Sequence, residues 1–180
     1  APSLYVPMSK PNIILVGLMA VGKSTVGRML AQALGMEFVD SDHEIEARAG
    51  APVAWIFDVE GEAGFREREH HILDELTRRT GIVLATGGGA VLSPCNRSML
   101  AARGIVIHLD SPLERLVERT RRDRKRPLLQ GDPEETLARL QRERDPLYRE
   151  IADYRFVTDR QGPKVLAREI EERLRKDEVI

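Results

Sequence analysis

The chain is poor in the residues that mark several protein classes. It has a single cysteine, Cys95, among 180 residues. That excludes an internal disulfide and suits a reducing compartment. With no neighbouring feature to activate it, the thiol reads as small buried filler. Aromatic residues make up only 4%, too few for a platform that stacks nucleic-acid bases. Neither sign of charge dominates. Basic residues number 28 against 29 acidic ones, for a net charge of −1, so bulk charge offers nothing to a nucleic acid. No run approaches the ~20 apolar residues of a membrane span. The N-terminus lacks the basic, apolar, small-residue order of a secretory signal, and residues 1–7 read as irregular lead-in. The expectation is one domain over residues 1–180, large enough for a real core. It is expected to act in the cytoplasm as a monomer, with no nucleic-acid or membrane partner.

What is present is concentrated in one segment. Gly17-Leu18-Met19-Ala20-Val21-Gly22-Lys23-Ser24-Thr25 fits Gly-x-x-x-x-Gly-Lys-Ser/Thr, a loop that wraps nucleotide phosphates. Gly17 and Gly22 permit a tight bend and a close backbone approach. The turned loop aims its N–H groups inward as an anion nest. Lys23 can reach the β- and γ-phosphates, and the Ser24 hydroxyl can ligate Mg²⁺. The context fits the motif. Asn12-Ile13-Ile14-Leu15-Val16 reads as a buried parallel strand. Val26, Met29, Leu30, Ala33 and Leu34 then fall on one helical face, with Gly35 as the stop.

Further strand-like runs are Met36–Val39, Ile82–Ala85, Ile105–Leu109 and Tyr154–Val157, with helical patterns between them. Gly61–Arg79 carries Phe65, Ile72, Leu73 and Leu76 on one side. Ser111-Pro112-Leu113-Glu114 is a capping box, and Asp132-Pro133-Glu134-Glu135 repeats the start signal. This alternation predicts an α/β domain whose parallel sheet is covered on both faces. Two stretches break the pattern. Residues 42 to about 64–66 hold short helical pieces and suit a substrate-binding segment. Residues 121–131 are dense in charge, lack an apolar stripe and suit a lid.

Asp40-Ser41-Asp42 follows the second strand, where ligands bind in open parallel sheets. Phosphoryl transfer needs one acid for Mg²⁺ and one for the acceptor hydroxyl; the alternative is a plain helix cap before His43, and Asp42 could cap and act together. Thr86-Gly87-Gly88-Gly89 follows the third strand and leaves a bare backbone for a ligand, or a flexible turn. Arg66, Arg126 and Arg144 carry guanidinium forks that suit carboxylates and phosphates. The basic run 121–126 could instead form an electrostatic patch for nucleic acid. His43, His70, His71 and His108 show no metal-ligand spacing. Asp58-Val59-Glu60-Gly61 spells a GTPase motif but follows helical text, and the guanine signature Asn-Lys-x-Asp is absent.

Together these motifs resemble the shikimate kinase family, particularly its members from Gram-negative bacteria. The phosphate loop, Asp40-Ser41-Asp42, Gly64-Phe65-Arg66, Thr86–Gly89, Arg126-Pro127-Leu128-Leu129 and Arg144-Asp145-Pro146-Leu147-Tyr148 stand in the family's order and spacing. The resemblance implies a fold like that of nucleoside monophosphate kinases: a five-stranded parallel sheet, a substrate-binding segment and a lid. It implies transfer of the ATP γ-phosphoryl group to the 3-hydroxyl of shikimate, with Mg²⁺. Lys23 and Ser24 would then take phosphates and Mg²⁺, with Asp40 in the metal's outer shell. Gly17, Ala20, Val21, Gly22 and Thr25 would complete the nucleotide loop, and Arg119 and Pro163 would border the adenine. Asp42 would bind the shikimate hydroxyls and serve as base, Arg66 and Arg144 would clamp its carboxylate, and Gly87, Gly88 and Gly89 would contact it. Arg126 would swing from the lid onto the transferring phosphate. Gluconate kinase is the nearest rival reading, and a nucleotide-dependent switch a remote one. Where the family usually carries glycine this chain has Ala20, a departure that bears on nucleotide affinity.

Overall fold

In the computed structural model, which describes residues 10–122, 132–158 and 161–180, strands and helices alternate. The strands are β1 (Ile13–Val16), β2 (Glu37–Asp40), β3 (Ile82–Ala85), β4 (Ile105–Asp110) and β5 (Tyr154–Val157). All pair in parallel, in the spatial order β2-β3-β1-β4-β5. This is the expected α/β architecture. β1 and β3 are buried at every residue, as unbroken β-branched and apolar runs require when both sheet faces are covered. Asn12 stays outside the strand. Its side chain donates to Arg79 O (2.7 Å) and accepts from Ile82 N–H (3.1 Å), pinning β1 to β3 at the end far from the phosphate loop.

The helices are α1 (Lys23–Leu34), α2 (Ser41–Ala49), α3 (Val53–Thr77), α4 (Pro94–Arg103), α5 (Leu113–Arg122), α6 (Pro133–Ile151) and α7 (Pro163–Lys176). α1 packs on α7 and against β1, β2 and β3; α4 packs on α3 and α6 and against β4. The buried face of α1 is not quite the expected one. Val26, Gly27, Leu30, Ala31 and Leu34 face inward, whereas Met29 and Ala33 are exposed. The cause is Gly27. A Cβ there would sit 2.6 Å from the Phe38 ring and 3.2 Å from Leu15 Cδ1. The helix therefore rests on the sheet at its smallest residue, which turns Met29 outward. Gly35 ends α1 in the left-handed conformation at φ 66°, as expected.

α3 begins earlier than the pattern suggested, and it breaks at Gly61 (φ 74°, ψ 177°), a conformation open to glycine. Phe65, Ile72, Leu73 and Leu76 are all buried. The start signal at Asp132 is realised, its carboxylate accepting from Glu134 N–H at 3.1 Å. The capping box at Ser111 is not. Ser111 N–H donates to Asp110 Oδ1 instead, and the Ser111 hydroxyl is buried without a hydrogen-bond partner. β4 runs on to Asp110, so its carboxylate reaches the turn first. The lid expected at 121–131 lies outside the described residues beyond Arg122.

The contact at Gly27 has a measurable consequence. Gly27→Ala forces a methyl group into the Phe38 ring and should destabilise the protein by about 1–3 kcal/mol, the usual cost of overpacking. Denaturant unfolding measures it; a stabilised variant would show that α1 can lift from the sheet without loss.

Candidate active site

Parallel pairing brings the carboxyl ends of the strands to one edge, and the loops that leave them form the site. The first leaves β1 at Gly17, where φ is 152° and a Cβ would lie 2.4 Å from Leu109 O. Gly22 closes the loop at φ 95°. Between them Ala20 is left-handed at φ 65°, which costs an alanine about 1 kcal/mol or more. Two cations hold the loop's carbonyl groups. Lys23 Nζ donates to Gly17 O (2.6 Å) and Leu18 O (2.8 Å). Arg119 Nη1 donates to Ala20 O (3.1 Å) and Val21 O (2.9 Å). In a trans peptide the N–H points opposite to the C=O, so these contacts turn the N–H groups of Leu18, Met19 and Gly22 away from the cations, while that of Val21 donates to Leu18 O at 3.4 Å. That is the polarity an anion nest requires.

Three cavities adjoin along this edge. One of about 280 Å³ is walled by Val21, Val26, Arg119, Thr158, Pro163 and Leu166. A polar one of about 250 Å³ is lined by Lys23, Ser24, Thr25, Asp40, Asp42 and Thr86. A third of about 280 Å³ is lined by Asp42, Phe57, Phe65, Arg66, Glu69, Arg144 and the glycine run. The first two share Ala20, Gly22 and Thr25; the last two share Met19, Asp42, Gly87 and Gly88. The site is thus a continuous groove: an apolar pocket, a phosphate-sized polar centre and a charged pocket, with Asp42 at the second junction.

The charged pocket is organised by the glycine run after β3. A Cβ on Gly89 would lie 2.3–2.7 Å from the Arg66 guanidinium, and one on Gly88 would lie 3.4 Å from Arg144 Nη1. Two arginines far apart in sequence therefore converge on one strip of backbone. A Cβ on Gly87 would lie 2.7 Å from Asp42 Oδ1 and 3.1 Å from Glu69 Oε2, so two acids meet there as well. Gly87 N–H is held by the buried Ser41 hydroxyl. Gly88 O accepts from the Tyr148 hydroxyl, itself fully buried against His108.

Burial dominates the electrostatics here. It raises Asp42 to about 6, helped by Asp40 and opposed by Lys23 and Arg66. It raises Glu69 to about 7, opposed chiefly by Arg66 and reinforced by Asp42. Asp42 Oδ1, Glu69 Oε2, Arg66 Nε and Arg144 Nε are buried without hydrogen-bond partners. Such groups are costly unless a ligand meets them. Glu69 escaped the sequence reading. Its signal was its place three residues after Arg66, whose Nη1 it accepts at 2.9 Å. Tyr148 was legible only as part of a motif.

Several sequence readings are corrected. Asp40, not Asp42, caps α2, its Oδ1 accepting from the N–H groups of Asp42 (2.9 Å) and His43 (3.2 Å). Its Oδ2 accepts from the Ser24 hydroxyl at 2.5 Å, so one carboxylate caps a helix and faces the phosphate loop. Cys95 is exposed rather than buried, because it stands in the first turn of α4 beside an open groove with His70 and Asn96. His108, isolated in sequence, lies with Asp110 and Asp145, ligand atoms within 4.8 Å of one another. There Arg155 neutralises Asp110 at 2.6 Å, and burial holds His108 down at about 4. Arg126 lies outside the described residues.

The model of the family described as shikimate kinase matches residues 19–175. The chain belongs to the shikimate kinase family. It is 61% identical over 163 residues to the shikimate kinase of Pasteurella multocida, covering 89% of this chain and 93% of that one. The shikimate kinase of Histophilus somni is 58% identical over 163 residues, with the same coverage. A solved structure of shikimate kinase from Acinetobacter baumannii, in complex with shikimate, superposes with a TM-score of 0.90 at 52% identity, covering 93% of this chain and 94% of that one. In this member of the shikimate kinase family the matched span contains every motif-bearing loop of the groove except its first two residues, Gly17 and Leu18.

The raised acids give a pH dependence with a definite sign. Folded Glu69 holds its proton more tightly than the unfolded chain does. Stability therefore rises as pH falls from about 7 towards 4.5, and is lost again on the way up. Relative to Glu69→Gln, wild type should gain on the order of 2–3 kcal/mol across that window. Denaturant titrations at stepped pH read it. Parallel pH profiles for the two proteins would mean that Glu69 titrates as a solvated acid.

Proposed function

We propose that the groove carries out shikimate phosphorylation by dividing its three pockets among base, phosphates and acceptor. As a family member the chain is an ATP-dependent small-molecule kinase, moving the γ-phosphoryl group of ATP to the 3-hydroxyl of shikimate. The observation that carries the assignment is the convergence of Arg66 and Arg144 on the glycine run beside Asp42. Paired forks suit an acceptor carboxylate. A nucleoside acceptor would call for a base pocket there.

In this reading adenine enters the apolar pocket between Arg119 and Pro163, and the phosphates follow the loop to Lys23. Lys23 then exchanges its carbonyl partners for phosphate oxygens, whose charge moves in the transition state. The Ser24 hydroxyl donates its hydrogen bond to Asp40, which leaves its oxygen lone pairs for a hard cation. Ser24 and Asp40 thus fit Mg²⁺, and Mg²⁺ would neutralise charge on the β- and γ-phosphates. Shikimate lies on Gly87, Gly88 and Gly89 with its carboxylate between Arg66 and Arg144. Phe57 and Phe65 back the Arg66 guanidinium, 6.0 and 5.3 Å from the ring centroids, and Glu69 orients it. Asp42, raised to about 6, is ionised near neutrality and basic enough to orient or accept the hydroxyl proton. Residues 42–66 form the substrate-binding segment and 121–131 the lid, from which Arg126 would reach the transferring phosphate and exclude water. The lone exposed thiol of Cys95 suits a reducing compartment, and we place the enzyme in the cytoplasm as a monomer. No helix among the described residues is long and apolar enough to cross a membrane.

An ADP-release assay tests the reaction, comparing shikimate with gluconate and nucleoside monophosphates, and ATP with GTP. Turnover only with shikimate and ATP is expected; turnover with gluconate instead would overturn the acceptor assignment. Lys23→Ala should lower kcat by orders of magnitude while the fold persists. Arg66→Ala should cost roughly 1.5–3 kcal/mol of shikimate binding. An analogue lacking the carboxylate should bind wild type poorly and be indifferent to that substitution. Equal sensitivity of both acceptors would place Arg66 in some other role.

A further inference from the structure

Arg119 stands in the wall of the apolar pocket, yet its hydrogen bonds go elsewhere. Nη1 donates to both Ala20 O and Val21 O, and lies 3.4 Å from where a Cβ on Gly22 would be. Ala20, between the loop's glycines, is held at φ 65°. A residue with a Cβ populates that region reluctantly, so the loop left to itself would relax out of it. The opposing contact is firmly based. α5, which carries Arg119, is anchored by buried Leu116 and Val117 and packs on α6. The two bonds are charge-assisted and aimed at the carbonyl groups of the Ala20–Val21 and Val21–Gly22 peptides.

We propose that Arg119 is a positioning residue for the phosphate-binding loop, locking Ala20 in the left-handed conformation that keeps the nucleotide-binding form populated. The inference rests on the reading of this loop as the nucleotide site. Its arithmetic is that of a pre-existing equilibrium: apparent affinity falls by the fraction of molecules whose loop is competent. Without Arg119, Ala20 pulls the loop away and nucleotide must restore it. With glycine at position 20 the left-handed form carries no such penalty, so the dependence on Arg119 should largely vanish. A group that only contacted the base would be needed equally in both backgrounds.

The test is a double-mutant cycle of wild type, Arg119→Met, Ala20→Gly and the double variant, since methionine keeps an apolar stem and removes the donors. Two readouts are taken: amide exchange of residues 19–23 in nucleotide-free protein, and MgADP affinity by calorimetry. With Ala20 present, Arg119→Met should speed exchange in the loop and weaken MgADP roughly tenfold, the scale of one left-handed alanine. In the Ala20→Gly background the same change should weaken MgADP by no more than about threefold. Arg119→Lys, which keeps a cation but not the fork, should fall between wild type and Arg119→Met. Equal losses in both backgrounds, with loop exchange unchanged by Arg119→Met, would overturn the proposal. If wild type bound no MgADP, the nucleotide reading would fail instead, and loop exchange would still decide whether Arg119 is a clamp.

Discussion

Gly17 brings the backbone after β1 so close to β4 that a methyl group would stand 2.4 Å from the Leu109 carbonyl oxygen. That approach starts a turn whose carbonyl groups face two cations and whose N–H groups are turned the other way. The neighbouring elements follow from it. α1 must start at Lys23 for its ammonium to reach back to Gly17 O and Leu18 O. It must also lie against the sheet, and Gly27 lets it do so over Phe38. β2 must end where Asp40 can accept from Ser24 and cap α2 with the same carboxylate. Several of these contacts serve the fold and the chemistry together.

The charged pocket is built on a different principle. It confines two acids and two arginines in about 280 Å³ and leaves a polar atom of each without a hydrogen-bond partner. Burying charge in this way is expensive, and a fully apolar pocket would be more stable. The arrangement suits an anionic ligand, which would supply acceptors to the arginines while the acids meet hydroxyl groups. Stability is given up where substrate can restore it. The glycine run makes this crowding feasible, since a side chain at Gly89 would collide with Arg66.

α5 and α6 connect the two ends of the groove. α5 carries Arg119 onto the phosphate loop, while α6 carries Arg144 beside Gly88 and Tyr148 onto the Gly88 carbonyl. The two helices pack on each other and flank residues 123–131. Arg119 and Tyr148 both hold main-chain carbonyl groups, so this helix pair fixes the backbone of the phosphate loop at one end of the groove and of the glycine run at the other.

Much of the site was legible in the linear sequence because its constraints are local. A phosphate loop needs glycines, lysine and a hydroxyl at fixed spacing between a strand and a helix, so Gly17–Thr25 declared itself without a structure. Strands β1, β3 and β4 were equally plain, being apolar runs too short for helices. Tertiary packing decided the remainder. Whether Met29 or Ala31 faces the core depends on how closely Gly27 lets α1 approach Phe38. Whether Asp40 or Asp42 caps α2 depends on which carboxylate the phosphate loop draws towards Ser24. Glu69 becomes a buried, proton-holding acid because β3 delivers the glycine run, and α2 delivers Asp42, against it. Arg119 stood out only through the family resemblance, as a neighbour of adenine; its hold on Ala20 O and Val21 O emerges when α5 is laid across the loop. Local spacing can specify a turn or a cap; only the folded sheet determines which distant charges must share a pocket.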